Sequence, residues 1–215
     1  MKDTIRLLIL GTGSFAEEVA DVASDLPNVV LCGFVENMDK GRCEGRKMGL
    51  PVVWVEDLPQ MLDHPVAVCG LGTTQRGRFV EQVAALGVEF TTLVHPTARV
   101  SRRTTLGEGT IVSPGATIGS HSALGRHVLV NRGATIGHHS RIGDYVTIGP
   151  GVNISGHCDI GACTYIGVGA TIVDHITVGR GSVIAAGAVI TKDLADRVLA
   201  AGLPARVVKR DIEAR

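Results

Sequence analysis

An aliphatic residue stands at every sixth position from Val94 to Ile190, through Val100, Leu106, Val112, Ile118 and onward without a break. That spacing fits neither an amphipathic helix, whose apolar face recurs every three to four residues, nor a strand that alternates at two. It fits a coil of short strands meeting at corners, with each coil stacked on the last. Three hexads close one coil, so residues eighteen apart should lie one above another. The aliphatic fills the interior, and the small residue that usually follows it, as at Gly107, Gly119, Gly137 and Gly167, lets the wall close. A second compact residue comes four places on, as at Thr110, Ser122, Ser140 and Cys158. Gly or Asn is expected to turn the corners with positive φ. Residues 94–191 therefore read as a left-handed parallel β-helix of hexapeptide repeats, followed by a tail over 192–215.

Residues 1–93 have another rhythm. Ile5–Leu10 reads as a buried strand ending at Gly11-Thr12-Gly13, and Phe15–Leu26 carries helical spacing with Ser14 as its candidate N-cap. Val29–Val35 reads as a second strand leading to Glu36 and Asn37, with further strands at Pro51–Val55 and Val66–Leu71. Gln75–Leu86 reads as a helix and Phe90–Val94 as the strand that delivers the chain to the repeats. Strands alternating with helices predict a small Rossmann-like parallel sheet whose ligand lies outside the carboxyl ends of its strands. The loops Gly11–Phe15, Glu36-Asn37 and Gly72–Gln75 would meet there. Gly11-Thr12-Gly13-Ser14-Phe15-Ala16 nearly matches a dinucleotide fingerprint, and Glu36 lies where a ribose-binding acid would fall. The pattern leaves open a nicotinamide cofactor, another nucleotide-bearing ligand, or a tight turn with no ligand. A unit of ~90 residues is short for a full dinucleotide fold, which favours a mononucleotide or a nucleotide-sugar.

Acidic and basic residues balance at 21 each, which argues against nucleic acid as a partner. Cys32, Cys43, Cys69, Cys158 and Cys163 form no C-x-x-C pair, so reduced thiols in a cytoplasmic protein are expected. The opening apolar run is too short for a signal peptide or a membrane span.

His121, His139, His157 and His175 are eighteen apart and should form a ladder on one corner, with His127 at the same hexad place on another. His138 alone falls one place earlier. A corner histidine ordinarily just faces solvent. Adjacent rungs ~4.8 Å apart offer a metal two ligands, but no metal site is expected, because no pair has the five-residue gap of the zinc-binding γ-class carbonic anhydrases.

The run from Val130 through Asn131, Gly137, His138, His139 and Ser140 to Gly143 resembles the catalytic segment of the sialic acid O-acetyltransferase and nucleotide-amino-sugar N-acetyltransferase family. The likeness extends over the N-terminal domain, the Leu93-Val94-His95-Pro96-Thr97-Ala98 junction, the repeats and the tail at Ala201-Gly202-Leu203-Pro204-Ala205. It implies a homotrimer, with acetyl-CoA along the outer wall between subunits and His138 as general base. It places acetyl-CoA near Thr147, Val168, Ala186, Gly202 and Pro204, and a nucleotide-sugar near Gly11, Gly13, Ser14, Phe15, Glu36, Asn37, Gly72 and Asn131. Lys192, Arg206, Lys209 and Arg210 would meet phosphates or simply be solvated. Two departures stand out. Family members usually carry Asp or Glu after the base, where this chain has His139, and a histidine near the sugar where it has Phe15.

The chemistry follows from the residues as well. An amine attacking a thioester must lose a proton, and histidine titrates nearest neutral pH. The oxyanion needs a positioned N–H donor, and Gly156, one coil above His138, leaves its backbone open. His138, His139 and Gly156 are the expected catalytic set, with Asp144 and Asp174 as the acids on hand. No nucleophile sits beside a base, so direct attack is expected. The sequence thus predicts an acetyl-CoA-dependent acetyltransferase acting on the amino group of a nucleotide-linked amino sugar. Alternatives are a sugar O-acetyltransferase, a zinc-dependent prism enzyme and a non-catalytic scaffold.

Overall fold

The structure, a computed structural model, describes residues 4–61, 65–212 and 214. The chain splits into two compact units, Met1–Gly72 with Arg76–Pro96, and Thr73–Gln75 with Thr97–Arg215.

The first unit is an α/β layer. Its elements are β1 (Ile5–Leu10), α1 (Ser14–Ser24), β2 (Val29–Glu36), β3 (Arg46–Lys47), β4 (Leu50–Trp54), β5 (Val66–Cys69) and α2 (Gly77–Ala85). The sheet order is β3-β4-β2-β1-β5, parallel except for the β3–β4 hairpin. Leu7, Leu8, Ile9 and Leu10 are fully buried, as a central parallel strand covered on both faces must be. The carboxyl ends of β2, β1 and β5 lie side by side, so Glu36, Gly11 and the Gly70–Gly72 turn share one edge. α1 buries Ala16, Val19, Ala20 and Ala23.

Three local expectations need correction. Ser14 is the first helical residue and not the cap; extended Gly13 is the N-cap and offers no side chain to the first turn. The second helix opens as a 3-10 turn over Thr74–Arg76. Phe90–Val94 is not one strand: Phe90 makes an isolated bridge to Ala67, and only Leu93–Val94 is extended. In each case a backbone bond or a glycine outranks local propensity.

The second unit is the parallel β-helix. Two-residue strands stack in three walls, each strand pairing with one eighteen residues away, as in Thr117↔Thr135, Ala123↔Arg141 and Leu129↔Thr147. The periodic aliphatics from Val112 to Ile190 point inward and are buried. Each fully buried aliphatic contributes about 1.5–3 kcal/mol. The wall that includes Ile111–Val112 ends in a hairpin of Leu199–Gly202 with Ala205–Lys209.

Two features were not legible beforehand. The compact inward residues form a hydroxyl ladder: Ser122, Ser140 and Thr164 donate to the Gly137, Ser155 and Gly179 carbonyls of the coil above. Buried Cys158 occupies the same place, its Sγ 3.2 Å from the Val173 carbonyl. The corner rule also differs from expectation. The glycine directly after each aliphatic is a close-approach position: a Cβ on Gly137 would lie 2.4 Å from the Gly156 nitrogen. Left-handed backbone falls two residues later, and Asn131 does not adopt it; its carboxamide donates to the Ile148 carbonyl instead. One corner column is all glycine (Gly115, Gly133, Gly151, Gly169, Gly187), whereas another is all histidine (His121, His139, His157, His175).

Candidate active site

The histidine corner carries the exposed chemistry. His121, His139, His157 and His175 stack face to face with centroid spacings of 4.8, 4.9 and 4.8 Å, the rise of one coil. Their φ values of 59°, 56°, 58° and 59° hold every Cβ in the same direction. His138 sits one residue before the ladder, and its ring stands at 88° to both His139 and His157. The position above it is Gly156, and the imidazole lies against that glycine: a Cβ there would meet His138 Cε1 at 3.0 Å.

The His138 Nδ1 lies 3.0 Å from the His139 Nδ1, a hydrogen bond between two imidazoles. One ring donates and the other accepts. Among the described residues, no carboxylate reaches His138. Asp144 is held by the Arg126 N–H and guanidinium, and Asp174 lies nearest His175, at 3.9 Å. Desolvation, followed by repulsion from His121, His157 and His138, holds the His139 pKa below the ordinary histidine value. A neutral His139 accepts a hydrogen bond where a carboxylate would, and brings no charge of its own. Among the described residues nothing accepts from the Gly156 N–H, while the Gly156 carbonyl takes the His175 N–H.

On the first unit's sheet edge, Glu36 is only 4% exposed and already engaged. Its Oε1 accepts the Asn37 and Met38 N–H groups, and its Oε2 takes the Thr12 hydroxyl at 2.5 Å and Arg42 at 3.2 Å. Burial raises its pKa, but these hydrogen bonds outweigh burial and leave it lowered. The acid thus ties the glycine loop to the 37–42 segment; the Thr12–Arg42 clamp had no signal in the sequence beyond the spacing of Glu36. Asn37 donates to Gln82, and Gly72 faces the Phe15 ring. Gly11 is left-handed at φ 99°, and a Cβ on it would meet Leu71 at 2.7 Å. Ser14 is exposed at the open start of α1.

Comparison with known proteins then settles the family. The hexapeptide model described as "Bacterial transferase hexapeptide (six repeats)" matches residues 121–156. The acetyltransferase domain of PglB from Neisseria gonorrhoeae, solved with acetyl coenzyme A, is 31% identical, covers 95% of this chain and 100% of its own, and superposes with a TM-score of 0.88. This chain belongs to the hexapeptide-repeat acyltransferases. PerB from Caulobacter crescentus, solved with CoA and GDP-perosamine, is 28% identical over 94% of this acyltransferase and 97% of its own chain, with a TM-score of 0.87. WeeI from Acinetobacter baumannii is 25% identical over 95% and 100%, with a TM-score of 0.85. No curated protein matches by sequence.

In this acyltransferase the residues expected beside acetyl-CoA fall in different surroundings. Val168 and Ala186 stand in one exposed column, eighteen residues apart, and Val168 is 53% exposed. Thr147 is 3% exposed. Gly202 and Pro204 are exposed at the tip of the terminal hairpin, beside Leu203. Asn131 is buried in its bond to Ile148. Among the described residues, no helix is long and apolar enough to cross a membrane. Sequence reasoning placed His157 on the ladder; its approach to His138, with centroids 5.1 Å apart, appears only in the structure.

Proposed function

We propose that this acyltransferase moves the acetyl group of acetyl-CoA to the amino group of a nucleotide-linked amino sugar. The observation that carries the reading is the His138–His139 hydrogen bond at 3.0 Å on an exposed corner, with no carboxylate in reach among the described residues. His139 accepts from the His138 Nδ1–H and so leaves the Nε2 lone pair for the substrate amine. As the amine attacks the thioester carbonyl, Nε2 takes its proton; the Gly156 N–H stabilises the oxyanion; the thiolate leaves and is protonated. His139 is a positioning residue in this scheme. The acetyl donor lies along the Val168–Ala186 column, with Gly202 and Pro204 near its adenine end and Thr147 in the wall beside inward Ile148. The nucleotide sits at the edge formed by Gly11, Gly13, Ser14, Phe15, Glu36, Asn37 and Gly72, with phosphate at the uncapped start of α1. Asn131, held by its bond to the Ile148 carbonyl, shapes the neighbouring corner.

Support for the substrate class comes from PerB, solved with GDP-perosamine, and from PglB, solved with acetyl coenzyme A. His138 is exposed on the single chain, and acyl transfer gains from excluding water; a homotrimer supplies the missing cover. The test is thiol release from acetyl-CoA against UDP-, GDP-, dTDP- and CMP-linked amino sugars and their hydroxyl counterparts. Faster release with an amino sugar supports the reading, and release only with a hydroxyl acceptor overturns it.

A further inference from the structure

The transfer chemistry leaves His157 unused, yet that ring completes a cluster. Among the described residues, His138, His139 and His157 bring one ligand atom each within 4.8 Å of one another. We infer that these three imidazoles chelate a divalent transition metal ion, and that the ion switches the acyltransferase off. The switch rests on His138 being the base; the binding does not.

Four observations carry this. Nitrogens bound to a tetrahedral zinc at about 2.0–2.1 Å stand ~3.3–3.4 Å apart. The His138–His139 pair is already at 3.0 Å, so closing the trio takes a small ring rotation at His157. All three rings are exposed, and among the described residues no side-chain hydrogen bond restrains them apart from the one between His138 and His139. The corner backbone, with φ 56° at His139 and 58° at His157, fixes where the rings start. Finally, left-handed backbone is cheapest for glycine and costs an L-residue ~1–2 kcal/mol. The parallel column at Gly133, Gly151 and Gly169 shows that the coil turns with glycine alone. The third column, with His127, Tyr145 and Cys163 at φ 53–60°, shows that the corner also accepts side chains, and this one presents a row of imidazoles. Neutral imidazole is a ligand for zinc, copper and nickel, and three leave a fourth position open.

The loss of activity follows from the tautomer, and the atoms balance. A neutral imidazole carries one proton and one lone pair. When His138 gives its Nδ1 lone pair to the ion, its proton moves to Nε2, and Nε2 can no longer accept the proton of the attacking amine. His139 already holds its lone pair at Nδ1, and giving that pair to the ion ends the hydrogen bond between the two rings.

The protein is stripped with EDTA, desalted, and titrated with Co²⁺ by visible absorption and with Zn²⁺ by calorimetry. One ion per chain is expected. Zn²⁺ affinity should fall at least ~10-fold in His157→Asn, and should hold in His175→Asn, an exposed rung of the same ladder. In the thiol-release assay, Zn²⁺ should suppress the parent and EDTA should restore it. His157→Asn should turn over at the parental rate without metal and resist Zn²⁺. Absence of binding, equal affinity in His157→Asn and parent, or loss confined to His175→Asn overturns the site. Binding without inhibition overturns the switch. The absorption and calorimetric arms need no activity, so a failure of His138 as base is told apart from a failure of the site.

Discussion

Two corners of the β-helix have the same backbone and different chemistry. At the glycine corner, the Gly151 N–H donates to the Arg132 carbonyl at 3.1 Å; at the histidine corner, the His157 N–H donates to the His138 carbonyl at 2.9 Å. Both turn through left-handed conformation, with φ 63–68° in one and 56–59° in the other. The fold asks only for that conformation, and glycine meets the demand without strain. Side chains at the other corner are therefore free to be chosen for what they bind or deprotonate. Architecture and function occupy equivalent positions, and only the residue type separates them.

The contrast can be broken at several points. The largest effect is expected for His138→Ala, which should lower turnover by ~10²–10⁴-fold with Tm unchanged, since the ring is exposed; equal turnover would remove it as the base. Next comes Gly156→Ala. Its φ is not left-handed, so the backbone accepts alanine, but the new Cβ would lie 3.0 Å from His138 Cε1. Displacing the ring by about an ångström should cost on the order of 10²-fold in kcat, with CoA affinity little changed; a parental kcat would show that His138 does not need this glycine. His139→Ala should lower kcat by up to about tenfold, the loss of one hydrogen bond of ~0.5–1.5 kcal/mol. His139→Asp should recover it, because a carboxylate accepts the same bond; failure of that rescue would leave His139 a structural ring. The smallest effect belongs to the other corner. Gly151→Ala should cost ~1–2 kcal/mol of stability by denaturant unfolding while activity per folded molecule stays the same.

Reading the chain as a string went far for the β-helix, because its contacts are periodic. An eighteen-residue offset is a contact map when coils stack in parallel. The Ile136–Ile154–Ile172 column and the His121–His175 ladder were therefore visible in advance. The α/β unit gave up its strand order less readily. Helix starts there turn on single backbone bonds, as the Gly13 cap shows. The fate of Glu36 turned on Thr12 and Arg42, which reach it only after folding.

The sequence by itself determined the coil, its walls and the buried aliphatic core, since each follows from period and residue type; His138 as candidate base came from the resemblance of the segment around it. Only the tertiary structure decided that left-handed corners fall three residues after each aliphatic from Leu106 to Ile184, that the His138 ring meets the His139 imidazole at 3.0 Å where a carboxylate was expected, and that His157 completes a cluster with them. Periodicity fixes which residues share a column, but not the torsion each adopts or the way its ring turns. Those depend on packing between coils, which exists only once the column is built.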